Sequence, residues 1–465
     1  MLYVTSYFGL RTYFIPPTSS FVPRTSYLVM ARTFLSSLTG KNFNPWHGAW
    51  LCVLGGLGLS LLGIYAIDLA VADAPPAPGE PVTMVGLVLR QSIYLFVGLI
   101  AAVVVAIPHY RWVRVFAWPL LWAMVALLVF LLIPFVPASI VHPRNGARSW
   151  LELGPIDFQP GELAKVAFVL VMADYLRFRQ NHRTVPGLIP PAVIAFIPAA
   201  LIALQPDLGM AMLFAPAIFA MLLVSGAKIR HLAMVVVIAA LAAPASYPFL
   251  KPHQKARIDG LIQLMWGRGE KATGFSAIAS NDTTFQQRVG QMLAGAGGLE
   301  GVPDAKARVL HKYNALPERH NDMILSVIMT RFGLYGGLGV LGLYGLWFLG
   351  AYITAAACKD GFGQLVVVGL TAILFAQTFI NVGMVVGILP ITGLTLPFIS
   401  YGGTSLVTVW VVTGLVFSIG MRRTVVSSMA PPSFEFKDEA PSYGEPRPQP
   451  KIVPSRRRHG VGSYP

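Results

Sequence analysis

VFAWPLLWAMVALLVFLLIPFVP, residues 115–137, carries no charged side chain in 23 positions. As a helix rising about 1.5 Å per residue it would span roughly 35 Å, enough to cross a hydrocarbon core of about 30 Å. Nine further apolar runs flank it, at about 49–70, 86–107, 162–176, 188–204, 208–225, 232–250, 324–350, 364–388 and 404–421. Across all 465 residues, 55% are hydrophobic and 12% charged, whereas a soluble domain carries about 25% charged residues. The expected fold is therefore all-α: a polytopic membrane protein with about ten transmembrane helices and one large extracytoplasmic loop, about 251–323.

The net charge of +15 does not point to nucleic acid, because no basic-aromatic module accompanies it. Lys and Arg instead gather where the positive-inside rule places them. Arg111 and Arg114, then Arg177, Arg179 and Arg183, then Lys228 and Arg230, then Lys359, then Arg422 and Arg423 fall on one side of a ten-span topology. Both termini then share that cytoplasmic side. The basic residues of the 251–323 loop do not contradict this, since long loops translocate largely regardless of charge. Cys52 and Cys358, in the first span and a short loop, are not placed to bridge and have no metal-ligand spacing, which argues against a zinc or haem site.

Residues 1–46 form a mixed polar and aromatic cytoplasmic segment without the order of features that marks a cleaved signal peptide, and Met30 is a second candidate start. The region 47–423 holds the spans. Residues 424–465 read as a disordered cytoplasmic tail, Pro-rich and nearly free of aliphatic residues.

Four clusters carry the chemistry, and all fall on the outer side. In Leu316-Pro317-Glu318-Arg319-His320-Asn321-Asp322 four ionisable groups lie within five residues, just before an apolar span. Such groups at a membrane surface mark a substrate or ion path when they face inward. Asn145-Gly146-Ala147-Arg148-Ser149-Trp150 leads to Gln159-Pro160-Gly161-Glu162-Leu163-Ala164-Lys165, where Glu162 and Lys165 share a helix face and can pair. That pair reads either as the wall of a polar cavity or as an internal salt bridge. Gln205-Pro206-Asp207-Leu208-Gly209 breaks a span, with Asp207 placed to cap the next helix or to serve the site. From Gly387 to Thr404, Pro and Gly are dense enough to break the helix at membrane depth, which is tolerated only inside protein or along a water-filled cavity.

Taken together and in this order, the four blocks resemble the RodA/FtsW (SEDS) family of polytopic glycosyltransferases, over about residues 49–423. The resemblance implies polymerisation of lipid II into glycan strands at the outer face of the bacterial cytoplasmic (inner) membrane, for cell elongation or division, beside a class B penicillin-binding transpeptidase and other elongation or division proteins. It places the catalytic carboxylate on Asp322, the buried acid–base pair on Glu162 and Lys165, a second acid on Asp207, and the last loop on Ser400, Tyr401 and Gly402. Glu318, Arg319 and His320 complete the central motif as substrate-binding residues.

The chemistry is consistent with that assignment. An acceptor hydroxyl must lose a proton as it attacks an anomeric carbon, and a positioned carboxylate supplies about 10²–10⁴-fold to such a step. Charge then builds on the departing lipid diphosphate, for which Arg148, Lys165, Arg319 and His320 are the candidate cations. A single displacement inverts the anomeric centre. A divalent cation, Mg or Mn, is an open expectation.

Some positions depart from the family pattern. Gly295-Ala296-Gly297-Gly298-Leu299-Glu300-Gly301-Val302-Pro303 lacks a basic residue expected to help hold diphosphate, and Thr330-Arg331 stands where an acidic pair is expected. The Thr330-Arg331 change keeps in view a catalytically weak scaffold for a transpeptidase; a lipid-linked precursor flippase, which would also need a polar cavity among broken helices, is the other alternative.

Overall fold

In the computed structural model, the residues described are 46–71, 84–137, 140–141, 147–152, 157–179, 181–249, 255, 283–314, 316 and 318–422. The expected cytoplasmic tail and nearly all of the N-terminal segment lie outside them, as does much of the first half of the long loop. Ten helical segments occupy the ten expected spans. They are α1 (Ala49–Val71), α2 (Met84–Ala106), α3 (Tyr110–Leu132), α4 (Pro160–Leu176), α5 (Ile189–Leu204), α6 with α7 (Leu208–Met212 and Phe214–Val224), and α8 (Ile229–Ser246). After two helices of the long loop, α9 (Thr283–Ala296) and α10 (Asp304–Tyr313), come α11 (Ile324–Ala357), α12 (Gly361–Val386) and α13 (Gly403–Met421). Seven of the described helices are long and apolar enough to cross a membrane; α4, α6–α7 and α8 are shorter or carry more charge. One two-residue ladder, β1 (Leu151–Glu152) against β2 (Asp157–Phe158), antiparallel with Leu151 opposite Phe158, is the only strand pairing among the described residues.

The layers follow from which helices are apolar all round. α4 buries nearly its whole circumference, including Glu162 and Lys165, as a helix enclosed by others must. It packs against α3 and α12, while α13 lies along α2 and α1 along α11. Trp347, Phe398 and Trp410 fill the space between α1, α11 and α13. By contrast α2 and α3 leave Phe96, Val103, Phe116 and Trp122 exposed, the outward apolar surface expected of helices facing lipid.

Two boundaries differ from expectation. α3 starts at Tyr110, five residues before the expected span, because the His109 side chain accepts the Arg111 N–H at its N-terminus. Arg111 and Arg114 are thus in the first turns of the helix rather than in a loop, at 3.8 Å from Asp360 and Asp174 respectively. α11 runs to Ala357, and it is broken at Gly333, where φ is 64° and ψ −157°. The part beyond the break, 334–357, is by itself long enough to cross a bilayer. The part before it belongs to the long-loop structure described next.

Candidate active site

The block Gly295–Pro303 is laid across the break in α11. Leu334 N–H donates to the Gly298 carbonyl at 2.9 Å, Tyr335 N–H to Leu299 at 3.2 Å, and Val302 N–H to Thr330 at 3.1 Å. Backbone meets backbone here: a Cβ at Gly297 would run into the Met329 carbonyl, and one at Gly301, whose φ is +89°, into that of Arg331. Glycine is required at such approaches. None of residues 295–303 lines the cavity described below; the block docks the loop against α11. The departures fall into place with it. Arg331 is ion-paired to Asp304 at the start of α10, Tyr65 donates to the same carboxylate at 3.0 Å, and Arg308 meets Asp68 at 2.8 Å. Thr330 donates its hydroxyl to the Leu293 and Ser326 carbonyls.

Loop docking sets the segment that follows α10. Arg319 donates to the His311 carbonyl at 2.6 Å, turning the chain back towards α11. Three successive carbonyls are then each taken by a donor from elsewhere: His320 by the Tyr401 N–H at 2.9 Å, Asn321 by the Ser400 hydroxyl at 2.6 Å, and Asp322 by the Asn381 amide at 2.8 Å. Asn381 also holds the Leu394 carbonyl at 2.8 Å, and the Ser400 oxygen accepts the Leu396 N–H at 2.7 Å. The motif is therefore fixed by its backbone to α12 and to the broken 387–402 loop. Gln91 of α2 fastens the far side of that loop, donating to the Ser400 carbonyl and accepting the Gly402 N–H.

These contacts enclose a cavity of about 680 Å³. Asp322, 4% exposed, lines it with Glu318, His320 and Asn321 from its own segment, Asp157 of β2, Gln159 and Glu162 at the start of α4, and Asp207. Tyr94, Ser149, Trp150, Gln286, Thr395, Tyr401 and Gly402 complete much of the wall. One Asp322 oxygen accepts from Gln286 at 3.2 Å. Asp207 both caps α6, accepting the Met210 N–H at 3.1 Å, and faces the cavity, where Gln159 reaches its other oxygen at 3.5 Å. Glu162 and Lys165 form an ion pair at 3.1 Å, each side chain 4% exposed. Lys165 extends behind the wall to Gln377 at 3.3 Å, and Gln377 donates to the Thr395 carbonyl at 2.9 Å. The cavity wall and the internal salt bridge, posed as alternatives by the sequence, are one structure.

The expected cations are placed differently. Arg148 turns away from its neighbours Ala147 and Ser149, which line the cavity, and donates to the Pro134 and Val136 carbonyls at the end of α3. Arg319 is spent on His311, and Lys165 on Glu162. Burial pushes His320 below its ordinary value, with the Glu318 charge opposing and the Arg319 charge adding, so His320 favours the neutral form. The walls are accordingly acidic. Arg90, exposed on α2, places its positive charge near the phenol of Tyr401, which lines the cavity, and is a cation that sequence reasoning missed. It also missed Asp157, Gln91, Gln286, Gln377 and Asn381. Of these, Gln377 and Asn381 had a signal, two amides four residues apart in an otherwise apolar helix. Among the described residues no three His, Cys, Asp or Glu are placed to hold a metal ion together, so no step is derived through one.

Comparison with known proteins follows the same lines. The FtsW/RodA/SpoVE model of cell cycle proteins matches residues 58–425. Peptidoglycan glycosyltransferase MrdB of Escherichia coli K12 is 33% identical over 344 residues, covering 74% of this chain and 88% of its own. A chain in a solved peptidoglycan synthase complex matches with a TM-score of 0.64 at 30% identity, over 80% of this chain and 97% of that one. Rod shape determining protein RodA of Thermus thermophilus matches with a TM-score of 0.57 at 28% identity, over 83% and 99%. The chain belongs to the FtsW/RodA/SpoVE family.

Proposed function

We propose that this protein is a peptidoglycan glycosyltransferase that polymerises lipid II at the outer face of the bacterial cytoplasmic membrane, in elongation or division. The observation that carries this reading is Asp322: a nearly buried carboxylate on a 680 Å³ polar cavity, on a segment whose backbone is fixed at three successive carbonyls. In this reading Asp322 accepts the proton of the acceptor sugar hydroxyl as its oxygen forms a bond to the donor's anomeric carbon. The bond from that carbon to the lipid diphosphate breaks, the diphosphate leaves with the electron pair, and the centre inverts. Glu318, Asp207, Glu162 and the Ser400-Tyr401-Gly402 turn shape the acceptor side. Arg319 and Lys165 act at one remove, Arg319 by holding the motif against α10 and Lys165 by holding Glu162. Arg148 fixes the segment carrying Ser149 and Trp150, and Arg90 with Tyr401 offers a cation to the departing diphosphate.

Both termini are cytoplasmic in this arrangement, which puts the motif, α9 and α10 outside. The partner is a class B penicillin-binding transpeptidase, a reading supported by the likeness to a chain of a synthase complex described as coordinating polymerization and crosslinking. The scaffold alternative rested on Thr330-Arg331, and the engaged partners of both residues weaken it. Purified protein with lipid II, with and without a transpeptidase partner and with Mg or Mn against chelator, tests the proposal. Polymer ladders on a gel support it; their absence in every arm refutes it.

A further inference from the structure

Gln286 stands near the start of α9, with its side-chain amide donating to Asp322 at 3.2 Å. The helix that carries it is pinned by its neighbours. Gln287 donates to the Met384 and Leu389 carbonyls, both at 2.9 Å, and Gln291 to the Val386 carbonyl at 3.0 Å. Met384 and Val386 lie in the last turn of α12, where carbonyls run short of intrahelical partners. From the other side Thr330 of α11 donates to the Leu293 carbonyl at 2.9 Å. α9 is thus fixed to both helices that frame the central motif, and Gln286 is the member of its glutamine set that faces the cavity.

We propose that Gln286 is a positioning residue for Asp322, holding one oxygen of the carboxylate in place and favouring its ionised form for proton acceptance. This rests on the reading of Asp322 as the base. The physical need is plain from the surroundings. Glu318 on the same segment, and Asp157, Glu162 and Asp207 across the cavity, are all acids, with His320 and the phenols of Tyr94 and Tyr401 as the other titratable groups of the wall. Each nearby carboxylate opposes ionisation of Asp322, whereas a hydrogen-bond donor favours it. A neutral amide does so without adding a cation that would compete for the substrate's diphosphate.

The test is the pH profile of lipid II polymerisation by full-length Gln286→Met and Gln286→Glu, with Asp322→Asn beside them. Met keeps the side chain's reach and loses the donor; Glu adds a further acid. The expected result for Gln286→Met is a kcat about tenfold lower, a lipid II KM within twofold, and an acidic limb moved up by about 0.5–1 pH unit. Gln286→Glu moves the limb further. An unmoved limb in both variants overturns the inference, including the case where kcat falls without a shift, which marks a purely structural contact. If one variant does not fold, the other carries the test alone. Polymerisation by Asp322→Asn would overturn the underlying reading of the site; an inactive Asp322→Asn with unshifted Gln286 variants overturns this inference alone.

Discussion

Replacing Lys165 by Met removes one partner of an ion pair that has almost no access to water. The charges are 3.1 Å apart with each side chain 4% exposed. At an effective dielectric of about 20 their attraction is about 5 kcal/mol, and breaking a buried pair by deleting one partner costs about 3–5 kcal/mol. Glu162→Gln should cost less than Lys165→Met, because Lys165 retains Gln377 as an acceptor. The double variant Glu162→Gln/Lys165→Met leaves no unmatched charge, and replacing a buried pair by neutral groups of similar volume is often close to neutral. It is expected to be more stable than Lys165→Met alone, with a coupling of about 2–3 kcal/mol across the cycle. Equilibrium unfolding by SDS in mixed micelles, followed by the fluorescence of the nine tryptophans, gives the four free energies. Additive losses within about 0.5 kcal/mol would refute the reasoning, since the pair would then carry no mutual energy.

Three other outcomes follow from the long loop. Asp304→Arg or Arg331→Asp should each speed proteolysis of the loop about two- to fivefold, and the double swap should restore protection, since the two side chains pair; no rescue would deny the clamp. Gly301→Ala should cost about 2 kcal/mol or more because its φ is +89° and its Cβ has no room, while Gly295→Ala, with open space around it, serves as the matched control; equal melting temperatures would contradict this. His311 is 1% exposed, and burial first, then the Arg319 charge, pushes it from 6.5 to about 4. Its folded value lies below its unfolded one, so between these values the unfolded chain binds more protons. The contribution is full above pH 6.5 and is lost as pH falls towards 4, roughly 3 kcal/mol in all. His311→Leu should flatten the fall in stability between pH 7 and 5, and an identical slope would argue against it.

The ten spans were legible because crossing a bilayer demands a length of apolar sequence that little else produces. The break at Gly333 was not, since Phe332-Gly333-Leu334 reads as apolar helix until Gly297–Gly301 is seen lying against it. The start of α3 was missed because Arg111 and Arg114 look like loop residues, yet they sit on the first turns within reach of Asp360, which caps α12, and Asp174 of α4. In the site, Glu162, Asp207, Glu318 and Asp322 were legible and Asp157 was not: a carboxylate beside apolar spans is expensive enough to be informative. Cation roles were not, because sequence does not say which way a side chain points, and Arg148 points to the end of α3 while its neighbours point inward. Gln91 and Gln286 were hidden for a different reason. Uncharged amides are ordinary in helices, and only the oxygens they meet, far away in sequence, reveal them. The departures at Val302 and Thr330-Arg331 were visible, but the pairing of Arg331 with Asp304, which also accepts the Tyr65 hydroxyl, is a property of the fold.

The central claim is that the Asp322 carboxylate accepts the acceptor's proton. It is tested most directly by polymerisation of purified lipid II by Asp322→Asn and the unaltered protein at matched concentration and equal thermal stability, each with a class B transpeptidase. The account predicts glycan ladders from the unaltered protein and a loss of at least about 10²-fold in rate for the variant. Ladders of equal yield from Asp322→Asn would contradict it.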